Sequence, residues 1–137
     1  MQHYKQEKDC LFCKIVAGLI PSAKIYEDDY TLAFLDVAPR AKGHALVIPK
    51  NHYRFVWDVE DIGTLYEAVK KVANAQRVVC STQMILSLVH GEQVPHAHVQ
   101  LIPTDAGATA TDVIRNQLIY ADGEKEETAR LIREAIV

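Results

Sequence analysis

The sequence predicts an α+β domain: a five-stranded antiparallel sheet with one long helix on one face and short helices towards the termini. Three observations lead there. The chain runs as a hairpin, a third strand, a long amphipathic helix and two more strands joined by a short connection, an order in which neighbouring strands pair antiparallel. Its 137 residues suffice for one substantial core but not for two. No internal repeat, linker or low-complexity run interrupts it, so residues 1–137 read as a single domain.

Each element has its own signal. Asp9 can cap a short helix from about Cys10 to Ala17, with Gly18 as its stop. Lys24–Glu27 and Tyr30–Leu35 read as two strands joined by the turn at Asp28 and Asp29. Pro39–Gly43 is a loop, and His44–Pro49 is a third strand rich in Val, Ile and Leu. From a cap near Asp58, the residues Val59, Ile62, Leu65, Tyr66, Val69, Val72, Ala73 and Gln76 follow i, i+3, i+4 spacing, which makes a helix whose stripe packs on the core. Met84–Val89 is the fourth strand, Gly91–Pro95 a tight connection, and Val94–Pro103 the fifth strand. Asp105–Thr111 reads as a loop and Lys125–Ile136 as a helix, acidic first and basic later, with a modest apolar face.

Composition excludes several classes of function. The net charge is −3 with both signs mixed along the chain, and no basic stripe offers a nucleic acid a surface. No apolar run approaches the ~18 residues of a membrane span, and the charged N-terminus is not a signal-peptide pattern. Three cysteines, an odd number with two close together, suit a reducing cytoplasm better than a disulfide scaffold.

The chemistry concentrates in three places. In Val94–Pro103 polar and apolar residues alternate, so one strand face carries His96, His98, Gln100 and Ile102 while the other carries Ala97, Val99 and Leu101. Such a row can engage successive parts of one ligand. Cys10 and Cys13, one helical turn apart, can share a tetrahedral zinc ion if two further ligands join them; a redox pair or two inert buried thiols are the alternatives. Asp36 ends an apolar strand, where it can accept hydrogen bonds from ribose hydroxyls or cap the loop at Ala38 and Pro39. His44 and His52 stand at the two ends of the third strand, and Cys80, with no partner nearby in sequence, reads as a buried small apolar residue.

Taken together, these residues resemble the histidine triad (HIT) superfamily. His96-Ala97-His98-Val99-Gln100-Leu101-Ile102-Pro103 is similar to its triad motif. Cys10-Leu11-Phe12-Cys13-Lys14-Ile15, Ile20-Pro21, Tyr26-Glu27-Asp28, Ala33-Phe34-Leu35-Asp36 and the stretch from Gly43-His44 to His52 resemble its Hint branch. The motifs span about residues 10–103 in the family's order, leaving 104–137 as a C-terminal extension. The resemblance implies a HIT-like fold, a homodimer and a nucleotide substrate. It implies that His98 is a nucleophile forming a nucleotidyl-histidine at the α-phosphate, with His96, Gln100 and His44 around it. Asp36 then binds ribose, Ile15, Ile20, Phe34 and Val37 sandwich a purine, and Gly91 and Gln93 lie near the phosphate. Cys10, Cys13, His52 and His96 become the ligands of a structural zinc ion, with no organic cofactor.

Two departures qualify the transfer. Gln100 stands where the family usually has its third histidine; an amide can hydrogen-bond a phosphate oxygen but cannot hand over a proton. Gln93 stands where the Hint pattern has a serine, and no asparagine lies between Met84 and His96. The leading expectation is an enzyme that hydrolyses or transfers at the α-phosphate of purine nucleotide conjugates: phosphoramidates, adenylates or dinucleoside polyphosphates. The alternatives are a nucleotide-binding module with little turnover and a hydrolase with His96 and His98 on a catalytic zinc.

Overall fold

The computed structural model describes residues 3–137. Its elements run α1 (Leu11–Val16), β1 (Lys24–Glu27), β2 (Thr31–Leu35), β3 (Ala45–Pro49), a 3₁₀ turn (Val56–Asp58), α2 (Ile62–Val79), β4 (Met84–Leu88), β5 (Val99–Thr104), α3 (Ala110–Arg115) and α4 (Glu124–Ala135). The five strands form one antiparallel sheet in the order β1-β2-β3-β5-β4, so the α+β architecture with one long helix is as expected. Chain order and sheet order differ only at the end, where β5 inserts between β3 and β4 after α2 has crossed over.

The sheet has two unlike buried faces, because side chains alternate along a strand. Ala33, Leu35, Ala45, Val47, Val99 and Leu101 face α2 and pack with Leu65, Ala68, Val69 and Val72. Leu32, Phe34, Leu46 and Ile48 face the other way and pack with Cys10, Phe12, Cys13 and Ile15 around α1. Covering on both sides explains why β2 and β3 are buried throughout and, Thr31 apart, apolar. It also sets the site on the α1 face, opposite the long helix.

Several boundaries move. Cys10, not Asp9, caps α1: its Sγ accepts the Cys13 N–H at 3.3 Å, while Asp9 lies exposed outside. Gly18 does end the helix, with φ +78° in the left-handed region that favours glycine. Asp28 turns the hairpin by accepting both the Tyr30 and Thr31 N–H groups at 2.8 Å. α2 starts at Ile62 behind an Asp61 cap, so Val59 precedes it and Asp58 closes the 3₁₀ turn.

The largest correction concerns the fifth strand, which begins at Val99 and not at Val94. Pro95 has no N–H to give a ladder. The His96 N–H turns back to Val94 O, the Ala97 N–H goes to Tyr53 O, and β4 ends opposite Gln100. His96 and His98 therefore stand on the approach to β5, and residues 89–98 form a loop longer than the expected tight connection. Residues 110–111 belong to α3, capped by Thr109 and Asp112, so the loop after β5 is shorter than expected. α4 lies within one residue of the expected Lys125–Ile136 helix, and its Thr128, Ala129 and Ile132 are buried where it packs on α2 and β1. Cys80 is only half-buried, its thiol turned to Lys42 O at 3.6 Å.

Candidate functional site

His98 is buried, and its ring is fixed twice. Nδ1 lies 2.7 Å from the His96 carbonyl oxygen, which can only accept, so the proton sits on Nδ1 and the lone pair on Nε2. Phe12 packs edge-on against the ring at 5.4 Å between centroids. A cavity of about 620 Å³ opens on one side, lined by Leu11, Phe12, Ile15, Ile20, Phe34, Val37 and Leu46 with Asp36, Gln93, His98 and Gln100. A second cavity of about 410 Å³ shares Asp36, Gln93, His98 and Gln100 and adds Arg40, His90, Gly91 and Glu92. The cleft thus has an apolar and a polar chamber, and His98 belongs to both walls.

Gln100 is oriented by His44. The Arg40 N–H donates to His44 Nδ1 at 3.0 Å, which places the imidazole proton on Nε2. Nε2–H in turn donates to Gln100 Oε1 at 3.0 Å. With its oxygen held by His44, Gln100 has both NH₂ donors free to offer a ligand. Burial lowers the His44 pKa, partly opposed by the Asp36 charge and the Gln100 hydrogen bond, so the ring is neutral at neutral pH. His44 lines neither chamber and stands behind Gln100.

Asp36 caps the loop at Ala38, one of the two roles the sequence suggested, and keeps a place at the cleft. Oδ1 accepts the Ala38 N–H at 2.9 Å, and Oδ2 lies 3.5 Å from His44 Nε2, yet the carboxylate still lines both chambers. Val37 is 84% exposed at the rim of the apolar chamber. Gly91 borders only the polar chamber; at φ +96° an added Cβ would meet the Phe55 ring at 3.2 Å.

Cys10, Cys13, His52 and His96 converge so that one ligand atom from each lies within 4.8 Å of the others. His96 Nε2–H donates to Pro49 O at 2.8 Å and turns Nδ1 to the sulfurs, 3.3 Å from Cys10 Sγ and 3.5 Å from Cys13 Sγ. His52 Nδ1 lies 3.3 Å from Cys13 Sγ. Bond lengths of about 2.3 Å to sulfur and 2.0–2.1 Å to nitrogen make the S···N edge of a tetrahedral zinc site about 3.5 Å, so the donor set fits zinc. Burial depresses His96 to about 4, which keeps its lone pair free for a metal. Burial raises the Cys13 thiol, which a cation among the four would reverse. His98 is outside this cluster.

The structure thus gathers Ile15, Ile20, Phe34, Asp36, Val37, Gln93, His98 and Gln100 at the apolar chamber and Gly91 at the polar one, and leaves His96 in the cysteine cluster. It also brings in residues that sequence reasoning missed. Arg40 and His90 line the polar chamber, and Lys125 and Glu126 of α4 line the apolar one. His90, six residues before His96, carried a weak signal; nothing in the sequence ties α4 to the cleft.

Comparison with known proteins gives a consistent picture. The profile of the HIT domain matches residues 17–107. The chain is 43% identical over 103 residues to Protein hit of Bacillus subtilis, covering 70% of this chain and 71% of that one. It is 39% identical over 100 residues to adenosine 5'-monophosphoramidase HNT1 of Saccharomyces cerevisiae, covering 69% of this chain and 61% of the relative. The crystal structure of a Zn-bound histidine triad family protein from Mycobacterium smegmatis superposes with a TM-score of 0.73 at 30% identity, covering 93% and 92% of the two chains.

Proposed function

The chain belongs to the HIT domain family, and on that premise we propose that it hydrolyses or transfers at the α-phosphate of purine nucleotide conjugates through a nucleotidyl-histidine on His98. The observation that carries this reading is the His98 ring: Nδ1–H is committed to a carbonyl, and Nε2 is left as the nucleophile beside a cleft with one apolar and one polar chamber. The purine lies among Ile15, Ile20, Phe34 and Val37, and Asp36 receives the ribose hydroxyls. The Gln100 and Gln93 amides and the Gly91 backbone surround the phosphate oxygens. His98 Nε2 attacks phosphorus as the bond to the leaving group breaks; water or another acceptor then attacks phosphorus and frees His98. Phosphoramidates head the substrate classes, ahead of adenylates and dinucleoside polyphosphates, because the yeast relative is named for that activity.

His96 and His44 serve as positioning residues, one holding His98 through its carbonyl and the other holding Gln100. Cys10, Cys13, His52 and His96 would hold a zinc ion, and the zinc-bound mycobacterial relative supports that assignment. The ion would tie α1 to the loops before α2 and β5, a structural role, since His98 is not among its ligands. The proposal includes a cytoplasmic location, where thiols stay reduced. It also includes a homodimer, to be checked by sedimentation.

A phosphoramidate radiolabelled at phosphorus tests the central step. Single turnover is expected to leave an acid-labile label on the wild-type protein and none on His98→Asn, which still binds AMP in calorimetry. An adduct that survives the His98→Asn change would refute the assignment. Gln100 favours a second reading, a binding module with little turnover; nucleotide binding with no adduct in the wild type selects it.

A further inference from the structure

If the nucleoside fills the apolar chamber, the leaving group departs into the polar one. An amine leaving a phosphorus must take up a proton as the P–N bond breaks, and Gln100 has none to give. The other histidines of the core cannot supply it. His44 is neutral, lines neither chamber and spends Nε2–H on Gln100 Oε1; His52 and His96 are turned to the two sulfurs. Among the described residues, His90 and His98 are the histidines lining the polar chamber. His90 also borders, with Arg54, Phe55 and His98, a small cleft on the neighbouring side.

Resting on the nucleotidyl-histidine reading above, we propose that His90, on the loop between β4 and β5, is the general acid that protonates the leaving group. The loop is anchored next to it. Arg54 Nη1 donates to Gly91 O at 2.6 Å, the guanidinium lies 4.1 Å from the Phe55 ring centre, and that ring would stand 3.2 Å from a Cβ at position 91. His90 is exposed, so it exchanges protons with water between turnovers. The step balances. His98 Nε2 forms the bond to phosphorus, the P–N bond breaks with its electron pair moving to nitrogen, and the His90 imidazolium donates the proton that makes the departing amine neutral. In the second half, His90 accepts a proton from the attacking water as the P–O bond forms and the His98–P bond breaks.

The test compares two AMP derivatives by pre-steady-state release of the leaving group. An alkylamine phosphoramidate needs the proton; a p-nitrophenyl ester departs as the phenolate and does not. His90→Gln is expected to slow the phosphoramidate by about 10²-fold or more while changing the ester by less than about threefold, with an unaltered melting temperature. Adding Gln100→His to His90→Gln is expected to restore phosphoramidate turnover. Equal losses on both substrates, or none on either, would overturn the role of His90. A wild type that labels His98 while His90→Gln is harmless overturns this inference alone, whereas a wild type that turns over neither substrate overturns it together with the reading beneath it.

Discussion

One backbone carbonyl decides which nitrogen of His98 can react. The same logic runs behind it: a backbone N–H sets the tautomer of His44, and that tautomer sets the direction of the Gln100 amide. The sequence named all three side chains but could not reveal this order, since the deciding groups belong to Arg40 and His96. In the His90→Gln background, replacing Gln100 by His is expected to raise phosphoramidate hydrolysis by roughly 10²-fold, the lower end of the range for general acid–base help. Steady-state kinetics check this, and an unchanged rate would place the limiting step elsewhere. The buried, neutral His44 makes a second expectation. Its folded pKa is lowered, so its contribution to stability is full above the ordinary imidazole range near pH 6.5 and is lost as pH falls towards the lowered value. Urea unfolding should therefore show a shallower loss between pH 7.5 and 5 for His44→Gln than for the wild type; parallel curves would contradict it.

At the scale of elements, the legible parts were those with a period. The stripe of α2 and the alternation of β5 were read correctly as faces, and Val99 and Leu101 do pack under α2 opposite Gln100. The start of β5 was misread because alternation continues through residues 94–98 while the backbone there hydrogen-bonds to itself and to Tyr53. α1 was misread by one residue because a thiol, an uncommon cap, took the place of the carboxylate beside it. That cap belongs to the cysteine cluster, so a zinc ion held there would depend on the helix, and the helix on the ion. Cys13→Ala is expected to abolish stoichiometric zinc and to lower the melting temperature by roughly 10 °C, about 2–3 kcal/mol for a domain of this size. Metal analysis with thermal denaturation checks both, and full metal content after the change would break the four-ligand assignment.

For the whole molecule, the C-terminal extension is the part that only the folded chain explains. Ile132 is fully buried where α4 meets α2 and β1, and Arg133 donates to Lys24 O at 2.6 Å. This docking brings Lys125 and Glu126 to the apolar chamber. Ile132→Ala is expected to cost about 2–5 kcal/mol in urea unfolding and to weaken AMP binding in calorimetry; unchanged affinity would separate α4 from the cleft. By itself the sequence determined the fold class, the cysteine pair and the apolar faces, because period and spacing are local properties of the chain. The family resemblance implied that two histidines and two cysteines meet, while the tertiary structure alone decided that His44 stands behind Gln100 and that His90 and α4 reach the cleft. Those contacts depend on which strands are neighbours and on where loops return, and no local pattern encodes either.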